Sequence, residues 1–213
     1  MIMRFQQLLA LCAAPLLAFA IATTAAADQI RIVAFGDSLM AGYRLAPGEA
    51  FPEKLEDMLQ ARGHDVVITN AGVSGDTTSG GLERLDWSVP DDTDVVLLGL
   101  GANDMLRGIS PELTERNLTA MIERLIDRDI DVVLIGMVAA PNLGTDYRQS
   151  FDSIYPGLAE RYALPLLPFF LDGVITQSGL LLDDGMHPNA AGVDRMVENL
   201  LPLIEPILRA PEG

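Results

Sequence analysis

The sequence predicts a three-layer α/β/α sandwich around a five-stranded parallel sheet with strand order 2-1-3-4-5. Three observations predict it. Five short apolar runs, at residues 30–34, 66–69, 95–100, 132–137 and 164–167, have the length of buried strands. The third is apolar on both faces, as a parallel strand covered by helices must be. The runs recur about every 30–35 residues with a helical stretch between each pair, which is the size of a βαβ unit, and right-handed crossovers then place helices on both faces. No internal repeat, low-complexity segment or second domain interrupts the pattern.

The elements follow in order. Ile30 to Ala34 is the first strand, and Gly36 allows a sharp turn at its end. A loop is expected over residues 40–50. Residues 51–62 read as a helix with Pro52 in the first turn and Gly63 past the end. After the second strand, Asn70-Ala71-Gly72-Val73-Ser74-Gly75 is rich in turn residues. Residues 77–87 form a short helix. Gly101-Ala102-Asn103-Asp104 closes the third strand. Ser110-Pro111-Glu112 combines a cap with a proline at the first helical position. The helix behind it buries Leu118, Met121, Ile122, Leu125 and Ile126. A helix over 147–162 is interrupted by Pro156, a loop covers 168–188, and the last helix runs over 189–208 with the apolar stripe Val193, Met196, Val197, Leu200, Leu201, Ile204 and Ile207.

The amino-terminal 27 residues stand apart. Arg4 precedes an apolar run from Leu8 to Ala22, and Ala25-Ala26-Ala27 supplies a small-residue cleavage site. This is the pattern of a secretory signal peptide, and the run falls short of the ~20 residues of a spanning helix. Cleavage is expected after Ala27, leaving residues 28–213 as one domain with no stable membrane insertion, in the periplasm or outside the cell. Cys12, the single cysteine, would leave with the leader. The chain of 213 residues carries a formal charge of −16, and loss of Arg4 alone takes it to −17. An acidic surface of this size argues against nucleic acid and anionic lipid as partners and fits a soluble monomer.

Chemistry is expected where open α/β sheets place it, at the carboxyl ends of the strands. Ser38 follows the first strand directly and is a candidate nucleophile, provided a base lies nearby. Of the two histidines, His64 lies in a polar turn and reads as a surface residue. His187 lies in Asp183-Asp184-Gly185-Met186-His187-Pro188, where Asp184 is one turn of backbone away. The roles are those of a triad: Ser38 attacks, His187 moves the proton, and Asp184 fixes the tautomer. Taken alone, Asp184 and His187 read equally well as a cap for the last helix. In a 2-1-3-4-5 sheet the loops after strands two and three flank Ser38. They offer the Gly72 N–H and the Asn103 amide, which with the Ser38 N–H make three donors for an oxyanion.

The blocks Gly36-Asp37-Ser38-Leu39, Gly72, Gly101-x-Asn103-Asp104 and Asp184-x-x-His187-Pro188 resemble those of the SGNH, or GDSL-type, hydrolase family. The resemblance spans roughly residues 30–206. Ser74-Gly75-Asp76-Thr77, Leu106-Arg107-Gly108, Ile154-Tyr155-Pro156 and Leu166-Leu167-Pro168-Phe169-Phe170 resemble its small secreted bacterial branch of thioesterases, lysophospholipases and arylesterases. It implies a serine esterase acting on small acyl esters (aryl esters, lysophospholipids, acyl thioesters) without cofactor or metal. Ser38, Gly72, Asn103 and His187 are then the eponymous residues, with Asp184 completing the triad. Ala102 departs from the pattern, since close relatives carry a second glycine there. Asp37 and Asp104 read as structural hydrogen-bond acceptors.

Met40 stands where a G-x-S-x-G elbow needs its last glycine, and no phosphate loop, dinucleotide fingerprint or metal-ligand spacing exists. A carbohydrate O-acetylesterase on the same fold, or a non-catalytic periplasmic binding module, remains open. Against the sugar reading, Trp87 is the only tryptophan. Leu39, Leu106, Pro141 and Leu143, with Met40 and Ile109, lie on the strand-end loops and are expected to line a shallow apolar groove, a reading that stands level with a core-facing role in those loops.

Overall fold

A computed structural model describes residues 29–208. Its five strands are β1 (Ile30–Gly36), β2 (Val66–Gly72), β3 (Val95–Gly99), β4 (Asp131–Ile135) and β5 (Leu166–Leu167). All pair in parallel, in the order β2-β1-β3-β4-β5 that the sequence predicts. The helices are α1 (Ser38–Ala41), α2 (Phe51–Ala61), α3 (Thr78–Ser88), α4 (Ala102–Leu106), α5 (Pro111–Ile126), α6 (Thr145–Asp152), α7 (Ile154–Tyr162) and α8 (Ala190–Leu208).

The central strands are buried over all but their ends, as apolar runs covered on both sides must be. Phe51, Leu55 and Leu59 of α2 and Val193, Met196, Val197, Leu200, Leu201 and Ile204 of α8 bury one face of each helix. Leu118, Met121, Ile122 and Leu125 of α5 do the same beside α3. The α5 start is capped as expected, with Ser110 Oγ accepting from the Leu113 N–H and Pro111 in the first turn.

Two helices differ from expectation. The helical stretch near Pro156 is two helices, and the break falls at Ser153 rather than at the proline. A proline has no N–H for the carbonyl four residues back, and its ring collides with that carbonyl. That carbonyl belongs to Asp152, so α6 stops there and Pro156 sits in the first turn of α7. The segment after β1 is also not a plain loop. It begins with the single helical turn of α1, capped by Asp37, whose Oδ1 accepts from the Leu39 N–H.

That turn is seated by glycines. Gly36 lies in register with Gly72 on one side and Gly99 on the other. A side chain at Gly36 would overlap Met40 and the Gly99 carbonyl, and one at Gly72 would overlap the Ala41 backbone. With none there, α1 settles onto the carboxyl edge of the sheet. Leu39 and Met40 go into the core, and Ser38 remains half-buried at the edge.

Candidate active site

Ser38 Oγ lies 2.9 Å from His187 Nε2. His187 Nδ1 lies 2.8 Å from Asp184 Oδ2. A carboxylate only accepts, so Nδ1 carries the proton and Nε2 is left to accept from the serine hydroxyl. The three side chains thus form one directed relay, although 149 positions separate Ser38 from His187. Sheet order closes that gap, because β1 lies centrally and the loop before α8 folds back over its end.

Asp184 is held by its own loop. Oδ1 accepts from the Met186 N–H at 2.9 Å and the His187 N–H at 3.0 Å, while Oδ2 takes the imidazole. The His187 N–H, then the Met186 N–H and the imidazole, pull its pKa down to about 2. Asp183 is turned away, paired with Arg44 at 2.8 Å. The Tyr43 ring covers His187, its centroid 4.5 Å from that of the imidazole.

Asn103 occupies the single turn of α4, which begins at Gly101 with a φ of 119°. The Tyr155 hydroxyl donates to the Leu100 carbonyl at 2.8 Å and fills the place of a Gly101 side chain. Ala102, by contrast, has ordinary helical backbone, so its methyl group is accommodated. Asn103 Nδ2 donates to Asp37 Oδ2 at 3.0 Å. Asp37 is 2% exposed. Burial pushes its pKa up to about 6, against the pull of the Leu39 N–H and the Asn103 amide. Asp104 is fully buried and accepts from the Thr78 N–H and hydroxyl at 2.8 and 2.6 Å, as a structural acceptor would.

Gly72 stands differently from its expected place. β2 runs to Gly72 instead of ending at Thr69, and the Gly72 N–H donates to Asn70 Oδ1 at 3.0 Å. Its lack of a side chain serves the packing of α1. Gly75 is the glycine past the strand end. It has a φ of 82°, and its carbonyl accepts from Arg107 at 2.6 Å.

Arg84 was not singled out from the sequence. It is buried beneath this edge, donating to Asp76 at 2.7 Å, to the Gly36 and Ala71 carbonyls at 2.9 Å each, and stacking 4.0 Å above the Phe35 ring. Of the expected groove residues, Leu106 and Pro141 are exposed, Leu143 is half-buried against the core, and Leu39 is buried within it. Tyr43, Val73, Val138 and Met186 are exposed on the same set of loops and had not been expected there.

The sequence matches the model of the GDSL-like lipase/acylhydrolase family over residues 34–195. The chain belongs to this family. It is 43% identical over 159 residues to an arylesterase of Vibrio mimicus, covering 74% of this chain and 80% of that one. It is 35% identical over 193 residues to the esterase TesA of Pseudomonas aeruginosa, covering 90% and 96%. The solved structure of AlinE4, an SGNH-hydrolase family esterase, superposes with a TM-score of 0.72 at 45% identity and covers 87% of this chain and all of that one. As a GDSL-family member the chain is a carboxylic ester hydrolase, and the Ser38–His187–Asp184 relay is the part of its fold suited to acyl transfer.

Proposed function

We propose that the chain hydrolyses neutral or zwitterionic esters of medium-length acids through an acyl-enzyme on Ser38. The contact between Ser38 Oγ and His187 Nε2, 2.9 Å, in line with the 2.8 Å bond to Asp184, carries the reading. Ser38 Oγ attacks the carbonyl carbon as its proton passes to His187 Nε2. The tetrahedral oxyanion collapses, the ester C–O bond breaks, and the leaving alkoxide takes the proton from His187. Water then attacks the acyl-Ser38 ester, again losing its proton to His187, and the acid departs as Ser38 regains a proton. Asp184 keeps the imidazole in the tautomer this needs.

The oxyanion donors are the Ser38 N–H, which lies in the first turn of α1 where no helical carbonyl can accept it, the second Nδ2 hydrogen of Asn103, and the Gly75 N–H. Gly75 replaces Gly72 in this role because the Gly72 N–H is taken by Asn70.

The substrate class follows from the rim. Tyr43, Val73, Leu106, Val138 and Met186 are exposed on five loops at the carboxyl edge, an apolar border for an acyl or aryl group. Trp87 is 76% exposed, but it lies near the end of α3, the end that returns to the amino edge of β3. It is therefore no platform for a sugar at this site. The net charge of −16 disfavours strongly anionic substrates such as acyl-CoA. Among the described residues no helix is long and apolar enough to cross a membrane. Residues 1–27 lie outside the described residues; their pattern supports export to the periplasm or beyond, with 28–213 acting as one domain and as a monomer. The test is Ser38→Ala with a fluorophosphonate probe. Loss of both labelling and p-nitrophenyl ester hydrolysis, with the fold kept, is expected; a variant that still labels or turns over at near the parent rate would remove Ser38 from the role.

A further inference from the structure

We infer that Asp37 is a positioning residue for the oxyanion site, fixing which face of the Asn103 amide the reacting carbonyl meets. The inference rests on the proposed role of Asn103 and extends it to a residue outside the triad. Asp37 accepts hydrogen bonds, as the sequence predicts, and from a specific place. Its two oxygens divide their work between Ser38's own turn and the neighbouring loop. Oδ1 holds the Leu39 N–H at 3.0 Å, and so fixes the turn that carries the serine. Oδ2 holds Asn103 Nδ2 at 3.0 Å, and so fixes the turn that carries the amide. One buried carboxylate therefore sets the spacing of two groups that act on the same carbonyl.

The chemistry of the pair gives it direction. A carboxylate has no proton to offer, so only the NH₂ end of Asn103 can face it. With one Nδ2 hydrogen committed to Asp37, the other is left to donate to the substrate oxygen. A neutral side chain at 37 can donate as well as accept. The amide is then free to turn over and present its carbonyl oxygen to the oxyanion, which repels developing negative charge. The charged neighbours of Asp37 are His187, whose charge favours the ionised form, and Asp76, whose charge opposes it and which is paired with Arg84 at 2.7 Å. Arg84 also holds the Gly36 carbonyl next door. Protonation of Asp37 near pH 6 is thus a second way to release the amide.

A double-mutant cycle tests this with p-nitrophenyl hexanoate as the probe, on Asp37→Asn, Asn103→Ala and the pair together. Asp37→Asn is expected to lower kcat by about tenfold or more, short of the ~10²–10³ lost with the amide itself, with KM within about twofold. In the Asn103→Ala background the same substitution should change kcat less than about twofold. An equal loss in both backgrounds would overturn the inference, since Asp37 would then act on the fold or on Ser38 directly; so would no loss in either. Should Asp37→Asn not fold, the pH profiles of the parent and of Asn103→Ala decide. Both keep the acid limb that His187 imposes, but the parent kcat is expected to fall more steeply toward pH 6 than that of Asn103→Ala, which lacks the Asp37 contribution, and profiles of one shape would overturn the inference. If Asn103→Ala leaves kcat intact, the oxyanion reading itself fails, which is a different result from an additive cycle.

Discussion

The Tyr43 ring lies over the imidazole of His187, centroid to centroid 4.5 Å, tilted by 39°. Tyr43 comes from the turn behind α1, so the segment that presents the nucleophile also covers the base. The ring limits the swing of the imidazole and keeps water from one of its faces. Aromatic pairs of this kind contribute ~0.5–1.5 kcal/mol, so Tyr43→Ala should lower kcat roughly 2- to 10-fold. Tyr43→Phe keeps the ring and should stay close to the parent. Equal losses in both variants, measured on one p-nitrophenyl ester, would show that the hydroxyl matters and the stacking does not.

Asp184 and Asp37 respond to pH with opposite signs. Asp184 titrates in the fold at about 2, below the ordinary 3.8, so its stabilisation is complete above 3.8 and is lost as pH falls toward 2. Asp37 titrates in the fold at about 6, above 3.8, because it is buried. Between those values the folded chain holds a proton that the unfolded chain has released, so this group favours the fold more as pH falls from about 6 toward 4. Activity runs the other way, since His187 must be neutral to take the serine proton. Activity should therefore fall on the acid side while the protein is still folded and the Asp184 carboxylate still ionised. Circular dichroism beside kcat/KM over the same buffers checks this; coincident losses would refute it. Asp184→Asn, by freeing the imidazole tautomer, should cost about 10⁴ in kcat at any pH in the range.

The sheet order and the meeting of Ser38, His187 and Asp184 at its carboxyl edge were legible because both rest on local signals: apolar runs at regular intervals, and chemistry-bearing residues just past them. Gly72 was misplaced because Asn70-Ala71-Gly72-Val73-Ser74-Gly75 offers two glycines, and the choice depends on where β2 ends. Turn residues suggested an end at Thr69, but the ladder with β1 continues to Gly36 and Gly72. The single turns α1 and α4 are too short for any periodicity to show. Leu39 was expected in a groove for the same reason: in a loop it would face the substrate, in α1 it faces the core. Arg84 was invisible because its partners lie at 36, 71 and 76, and only the fold joins them.

Arg84 is the point at which this edge is most vulnerable. It and Asp76 are both largely buried, with side chains 8% and 12% exposed. Removing the guanidinium leaves Asp76 without its counter-charge and takes one donor from each of the Gly36 and Ala71 carbonyls, although Gly36 keeps the Val73 N–H. Breaking one partner of a buried pair typically costs ~3–5 kcal/mol, so Arg84→Ala should lower the unfolding free energy measured in urea by that order. Arg84→Lys keeps the charge but lacks the planar fork whose separate nitrogens reach Asp76, Ala71 and Gly36, and should recover only part of the loss. An unfolding free energy within about 0.5 kcal/mol of the parent, the range of ordinary surface substitutions, would mean that the edge is held some other way.

The apolar rim makes the chain-length dependence the sharpest measure of substrate. Each CH₂ taken out of water contributes up to ~0.8 kcal/mol, or about fourfold in kcat/KM. Activity on p-nitrophenyl esters should accordingly climb from acetate to hexanoate or octanoate, and level off where the chain outruns the rim. Leu106, at the end of α4, is 55% exposed, and Met186, next to His187 in the chain, is 44% exposed. Neither belongs to the buried core, so truncation should act on the substrate more than on the fold. Leu106→Ala and Met186→Ala should each lower the ratio of octanoate to acetate turnover by a few-fold, with no shift in the melting temperature. An optimum at acetate, together with release of acetate from acetylated xylan, would place the enzyme among carbohydrate deacetylases and leave the relay of Ser38, His187 and Asp184 as described.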